Sequence, residues 1–250
     1  MGIEELWHSP PDALIVTGAE PLAADLAGEL YWSDLADLLT RAVEEIPSVL
    51  LSCLAAHAAL QLFDDLEREL LTAKCTGVFV QDHVVPHPLT KNLPSPLVFP
   101  HSRLNDVPSD ALRTKGYAVL VGSQDAGWTV ATRPSYAGEL VLIQGHPEYD
   151  ASVLLREYRR DVGRYLTRER QELPTLPAHF VAPKDEAALN DFHLRVITEH
   201  SGPELLAVLP FDEMMYSAPW PWRPAAEQFY ANWITDVLGR TTSSWRTFLP

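Results

Sequence analysis

The sequence predicts an α/β protein built on a mostly parallel sheet, and three observations carry that prediction. Short apolar runs at 12–18, 48–53 and 138–147 have strand length and end at Gly, Cys or Pro. Segments with helical apolar spacing follow them, at 26–46, 54–63 and 153–173. The 250 residues are 46% hydrophobic, enough to bury one substantial core.

Taken in order, DALIVTG (12–18) reads as a buried strand that delivers the chain to a turn. LAGELYWSDLADLLTRAVEEI (26–46) places Leu30, Leu35, Leu38, Leu39, Val43 and Ile46 at helical spacing, and Pro47 stops it. SVLLSC (48–53) is a second buried strand, passing directly into the Ala- and Leu-rich helix 54–63. TGVFVQDH (76–83) reads as a strand or hairpin arm. Pro88, Pro94, Pro96 and Pro100 then forbid a long helix over 87–103. Three strands joined by Gly-containing turns follow at 117–123, 128–134 and 138–147, and an amphipathic helix at 153–173. Beyond 173 the pattern changes: LPTLPAHFVAP (173–183) and VLPFDEMMYSAPWPWRP (208–224) are rich in proline and aromatics and read as irregular packing segments. The last element is a helix over 224–239, with Pro224 near its start and Gly239 at its end. The simplest organisation is a catalytic α/β core, 1–173, with a carboxy-terminal extension, 174–250, packed on it.

Composition excludes several function classes. Lys and Arg total 19 against 34 Asp and Glu, a formal charge of −15, which would repel nucleic-acid phosphates and anionic lipid. No run approaches the roughly 20 apolar residues that span a bilayer. The amino terminus has acidic residues early and no secretory pattern, and MGIEEL is a poor myristoylation match. The two cysteines, Cys53 and Cys75, make no disulfide framework, so a reduced cytoplasm is expected. No metal-ligand motif is present, and no metal or bound cofactor is expected.

Two places carry chemistry. Cys53 stands where an apolar strand gives way to a helix, so the unpartnered N–H groups of the first helical turn would favour its thiolate. The Leu54 N–H could serve an oxyanion there. Read alone, Cys53 fits a buried core cysteine better than a nucleophile; Cys75 has no such context and reads as structural. GHPEYD (145–150) closes the strand ELVLIQ at the rim of the sheet, where active sites of open parallel sheets collect. His146 could deprotonate Cys53, and Glu148 could orient the imidazole. A loop histidine is also commonly structural or merely exposed. His57, four residues beyond Cys53, faces either the site or, in the favoured reading, the core.

LIVTGAE (14–20), ELYWSDL (29–35), LLSCLAAHAALQLF (50–63), KCTGVF (74–79), PHSR (100–103) and GHPEYDASVLLREYRRD (145–161) occur in an order and spacing that resemble the homoserine O-succinyltransferase and O-acetyltransferase family. The weaker PWPWRPAAEQFYANW (219–233) is similar to that family's late aromatic helix. The resemblance implies a class I glutamine amidotransferase-like (flavodoxin-like) three-layer sandwich. It also implies acyl transfer from succinyl-CoA or acetyl-CoA, as co-substrate, to homoserine or a similar hydroxy amino acid.

Under it Cys53 accepts the acyl group, His146 is the base and Glu148 supports it. Lys74, Ser102 and Arg160 hold the substrate, and Leu22 occupies the position tied to acyl-donor choice. Without the family, Lys74 and Arg160 read as solvated charges and Ser102 as a turn residue. Arg103 reads as a useful cation or simply an exposed one. Family members begin well ahead of DALIVTG, so the chain reads as an amino-terminally shortened, divergent member. It carries Leu54 and His57 where Trp and Gln are usual, and 193–216 reads as a rebuilt segment. The partners expected are small molecules, with a homodimer possible. The alternatives are an amidotransferase-like cysteine hydrolase, disfavoured because LSCLA lacks the G-x-C-x-G elbow, and a non-catalytic homologue.

Overall fold

The computed structural model describes residues 3–23, 25–181, 183–199 and 202–246. Met1 and Gly2, and the 200–201 junction inside the segment 193–216, lie outside the described residues. Seven strands form one sheet: β1 (Ala13–Val16), β2 (Ser48–Ser52), β3 (Glu69–His83), β4 (Leu97–Asp106), β5 (Ala118–Ser123), β6 (Gly127–Pro134) and β7 (Glu139–Ile143). Their order is β1-β2-β7-β6-β5-β3-β4.

The sheet is mixed, which corrects the expectation of a mostly parallel, flavodoxin-like one. Only β1–β2 and β2–β7 pair in parallel; the β7–β6, β6–β5, β5–β3 and β3–β4 ladders are antiparallel. Chain length explains the difference. Residues 124–126 link β5 to β6 and 135–138 link β6 to β7, far short of the dozen or so residues a parallel crossover needs. β4 falls in the segment read as merely proline-rich. It lies at the sheet edge, where Pro100 opposite Val78 is tolerated.

The strands alternate between two cores. Val49, Leu51, Leu140 and Leu142 face helices α2 (Trp32–Glu45) and α3 (Leu54–Asp64), while Leu50, Val141 and Ile143 face the other side. That second face is covered by α5 (Val153–Leu166) and by the chain after it, arranged in α6 (Pro183–Thr198), α7 (Phe211–Tyr216) and α8 (Arg223–Arg246). Phe192, Trp222, Phe229 and Trp233 are buried there, and Trp233 Nε1 donates to Ser48 Oγ of β2 at 2.9 Å. The short helices α1 (Ile3–His8) and α4 (Ser109–Thr114) are the remaining α-helices among the described residues.

Several expectations shift. The helix expected over 26–46 begins at Trp32, because a short turn at Leu26–Gly28 precedes it and leaves Leu30 fully exposed. The helix expected to 173 ends at Leu166, where Arg168 turns to φ 63°. The segment 208–224, read as irregular, contains α7, which buries Phe211 and Met214, and between the two proline-rich stretches α6 buries Leu189, Phe192 and Val196 at helical spacing. Among the described residues, no helix is long and apolar enough to cross a membrane.

Candidate active site

β2 is buried along its whole length and ends at Ser52. The next residue, Cys53, turns to φ 52° and ψ −112°, on the positive-φ side that L-residues avoid, before α3 starts at Leu54. Such a backbone costs on the order of 1–3 kcal/mol and persists only where the surroundings enforce it. Two neighbours enforce it here. Cys53 N–H donates to the Ile143 carbonyl at the end of β7, at 2.7 Å, and α3 is anchored by buried Leu54, Ala55, Ala56, Ala58, Ala59 and Leu60. The elbow therefore forms without flanking glycines. The thiol side chain is half-buried, at the positive end of α3. Gly18 brings the loop after β1 against the same helix end, and a Cβ there would stand 2.7 Å from Leu54 N.

β7 also delivers His146. Its N–H donates to the Pro100 carbonyl at 2.8 Å, and its ring stacks on Tyr149 with centroids 4.2 Å apart and planes at 17°. Nδ1 bonds Glu148 Oε1 at 2.7 Å, and Ser52 Oγ approaches the same oxygen at 3.4 Å. With Nδ1 so occupied, the buried Nε2 remains for the thiol; it makes no well-aligned hydrogen bond in this state. Burial pulls the His146 pKa down, but the neighbouring Cys53 and the hydrogen-bonded Glu148 outweigh it and raise it to about 10. Cys53, 93 positions away in sequence, thus lies close enough to His146 to favour its charged imidazolium.

Lys74, Ser102 and Arg160 converge on two acids of α5 that sequence reading did not single out. Ser102 Oγ donates to Glu157 Oε2. Lys74 Nζ lies 2.9 Å from Asp161 Oδ2 and 3.6 Å from Glu157 Oε2. Arg160 Nε donates to Asp161 Oδ1 at 2.9 Å, and Arg170 stands 3.6 Å from Asp161. Burial of Asp161 opposes its charge, but Lys74 and Arg160 prevail and hold its carboxyl below the usual range. Tyr149 joins this cluster to His146, donating from its hydroxyl to Glu157 Oε1 at 2.8 Å. The four-residue spacing of Glu157 and Asp161 within EYRRD was the available signal.

Other candidates fall elsewhere. Leu22 has its side chain in solvent, 94% exposed; only its backbone is engaged, donating at 2.5 Å to the buried Glu29, which also holds Ala23 N–H. His57 faces the interior, 2.8 Å from Gln144 Oε1, and burial lowers it to about 4. Arg103 is buried rather than exposed and points to the face of β4 opposite Ser102, where its NH1 donates to Cys75 Sγ at 3.1 Å. Burial raises the Cys75 thiol, in keeping with a structural role. Among the described residues no group of three or more His, Cys, Asp or Glu is placed to hold a metal ion.

A family model described as homoserine O-succinyltransferase matches residues 2–243. The chain is 42% identical over 235 residues to homoserine O-succinyltransferase of Rhodopseudomonas palustris, covering 94% of this chain and 70% of that protein. It is 44% identical over 199 residues to the protein of the same name from Bradyrhizobium japonicum, covering 80% and 61%. Among solved structures, a glutamine amido transferase from Methylobacillus flagellatus matches with a TM-score of 0.50 at 14% identity, over 86% of this chain and 73% of that one. That likeness concerns the fold, a class I glutamine amidotransferase-like α/β architecture.

Proposed function

The chain belongs to the homoserine O-succinyltransferase family, and we propose that it acts as an acyl-CoA-dependent O-acyltransferase on homoserine through a Cys53 acyl-enzyme. The observation that carries this reading is the half-buried Cys53 at a strained strand-to-helix turn, beside a buried His146 that Glu148 holds at 2.7 Å. In the first half-reaction the Cys53 thiolate attacks the thioester carbonyl. The Leu54 N–H stabilises the oxyanion, and the coenzyme A thiolate leaves with the proton from His146. In the second, His146 takes the proton of the homoserine hydroxyl as its oxygen attacks the acyl-enzyme. Cys53 is then released as thiolate. Glu148 keeps the proton on Nδ1, so that Nε2 performs both transfers.

The cluster on α5 supports a zwitterionic acceptor. Glu157 offers a carboxylate for the ammonium group, and Lys74, Arg160 and Ser102 offer donors for the substrate carboxylate. The names of the relatives favour a succinyl donor over an acetyl one. Coenzyme A release followed with a thiol reagent tests the proposal. Turnover should require homoserine and fall by about a thousand-fold or more in Cys53→Ala. Arg160→Ala should raise the KM for homoserine with little change in that for acyl-CoA. Release of coenzyme A at the same rate without homoserine would make the protein a thioester hydrolase and sink the reading.

A further inference from the structure

Beneath the His146 loop runs a buried polar chain that the proposed reaction does not use. His101 of β4 is fully buried, and Arg103, two residues on along the same face, is 6% exposed. Arg103 NH1 donates to His101 Nδ1 at 2.9 Å, and its NH2 donates to the Ala126 carbonyl at 2.7 Å and approaches Asp106 at 3.4 Å. A guanidinium can only donate, so His101 Nδ1 accepts and the ring proton sits on Nε2. Nε2 lies 3.1 Å from Thr129 Oγ1, which must then accept. The Thr129 hydroxyl in turn donates to Gln81 Oε1 at 2.7 Å. Burial, with the neighbouring Arg103 charge, holds His101 well below the ordinary imidazole range, which suits a neutral ring. The chain of donors therefore has one direction, from Arg103 through His101 and Thr129 to Gln81, and it ties β4, β6 and β3 together.

Gly145 is where this chain meets the site. A Cβ at Gly145 would stand 2.9 Å from Thr129 Cγ2, 3.2 Å from His101 Nε2 and 3.2 Å from the Pro100 carbonyl. Close approach is what requires glycine here. The flanking residues are tied to the same two strands: Gln144 N–H donates to the Thr129 carbonyl at 2.8 Å, and His146 N–H to the Pro100 carbonyl at 2.8 Å. His146 thus takes its backbone position from the strands that the buried chain holds in register. Arg103 is placed to set that register, since its two terminal nitrogens bridge β4 to the turn before β6.

We infer that Arg103 is a positioning residue for His146, acting through His101 and Thr129 beneath Gly145 and not by touching substrate. The inference rests on the proposed role of His146 as the base. Because Ser102 and Arg103 alternate along β4, Ser102 reaches the α5 cluster while Arg103 is turned from it.

The test compares Arg103→Met, Arg103→Lys and Thr129→Val with the parent enzyme. The readouts are steady-state kinetics and the pH dependence of Cys53 alkylation by iodoacetamide. Arg103→Met should lower kcat by about 10- to 100-fold, as displacement of a catalytic group does, with both KM values little changed. It should also shift the pH profile of alkylation, because His146 is no longer held against Cys53. Arg103→Lys should not rescue, since one ammonium cannot reach His101 and the Ala126 carbonyl together. Thr129→Val should show the same profile shift with a smaller loss of kcat.

A raised homoserine KM with kcat and profile unchanged in Arg103→Met would overturn the inference in favour of substrate contact. Parent-like kcat and profile in both Arg103→Met and Thr129→Val would reduce the chain to packing. If Arg103→Met fails to fold by circular dichroism, Thr129→Val decides by the same two readouts. A parent protein with no Cys53-dependent transfer would instead overturn the functional reading, and this inference with it.

Discussion

At His146 two opposing effects meet: burial favours the neutral ring, and Cys53 with Glu148 favours the charged one and prevails, raising the residue to about 10. The folded value lies above the ordinary 6.5, so the stability contributed by the charged ring is fully present below about pH 6.5 and is lost as pH rises through about 10. Glu148→Gln removes one of the two stabilising partners. Its thermal midpoint should lie below the parent's near neutral pH, and the gap should close as pH approaches about 10.5. A gap that stays constant across that range would mean Glu148 acts by packing instead. At this scale the sequence displayed the reactive groups by position, since Cys53 ends a strand and His146 follows another. The acids of the α5 cluster are harder to see. Glu157 and Asp161 sit four apart on a helix, like many surface pairs, and only the direction in which α5 faces separates a buried cluster from a solvated one.

Elements fix these residues by their ends. α3 begins where β2 stops; the end of β7 holds the Cys53 N–H, and Pro100 of β4 holds the His146 backbone three residues beyond β7. The loop is also clamped from outside. Trp220 and Trp222, just before α8, both donate from their indole nitrogens to the Tyr149 carbonyl, at 3.1 and 2.8 Å. Trp222 is fully buried and Trp220 is 39% exposed. Trp222→Phe should therefore destabilise the protein by about 1–2 kcal/mol in chemical denaturation and also lower kcat, with Trp220→Phe costing less. Equal losses from the two would show that burial does not decide the strength of the clamp. Apart from β4, the strands are legible in the sequence, but their relative direction differs from the expectation. The links 124–126 and 135–138 were short enough to require hairpins, and that length outweighs the family expectation of a parallel sheet. β4 was hidden because its prolines resemble loop chemistry unless the strand is known to lie at an edge.

The whole molecule is a mixed sheet with a core on each face, and the reactive residues gather where the parallel half, β2 and β7, meets the antiparallel half through Pro100 and Thr129. That seam explains how chemistry spread from Cys53 to Arg160 becomes one site. In the proposed reaction, strands from the parallel half deliver nucleophile and base, while β3, β4 and α5 supply the charged groups assigned to the acceptor. The residues after 173 belong to the same structure, because Phe180, Leu189, Trp222 and Phe229 are buried in the core beneath α5. Beyond the aromatic content of 219–233, no local pattern in the sequence announces such long-range packing. The central claim is covalent acyl transfer through Cys53, and intact-protein mass spectrometry after mixing with succinyl-CoA or acetyl-CoA tests it most directly. The account predicts a mass gain of one acyl group, larger in yield with succinyl-CoA, absent in Cys53→Ala and discharged by homoserine. An unmodified folded protein with both donors, or an adduct that persists in Cys53→Ala, would contradict it.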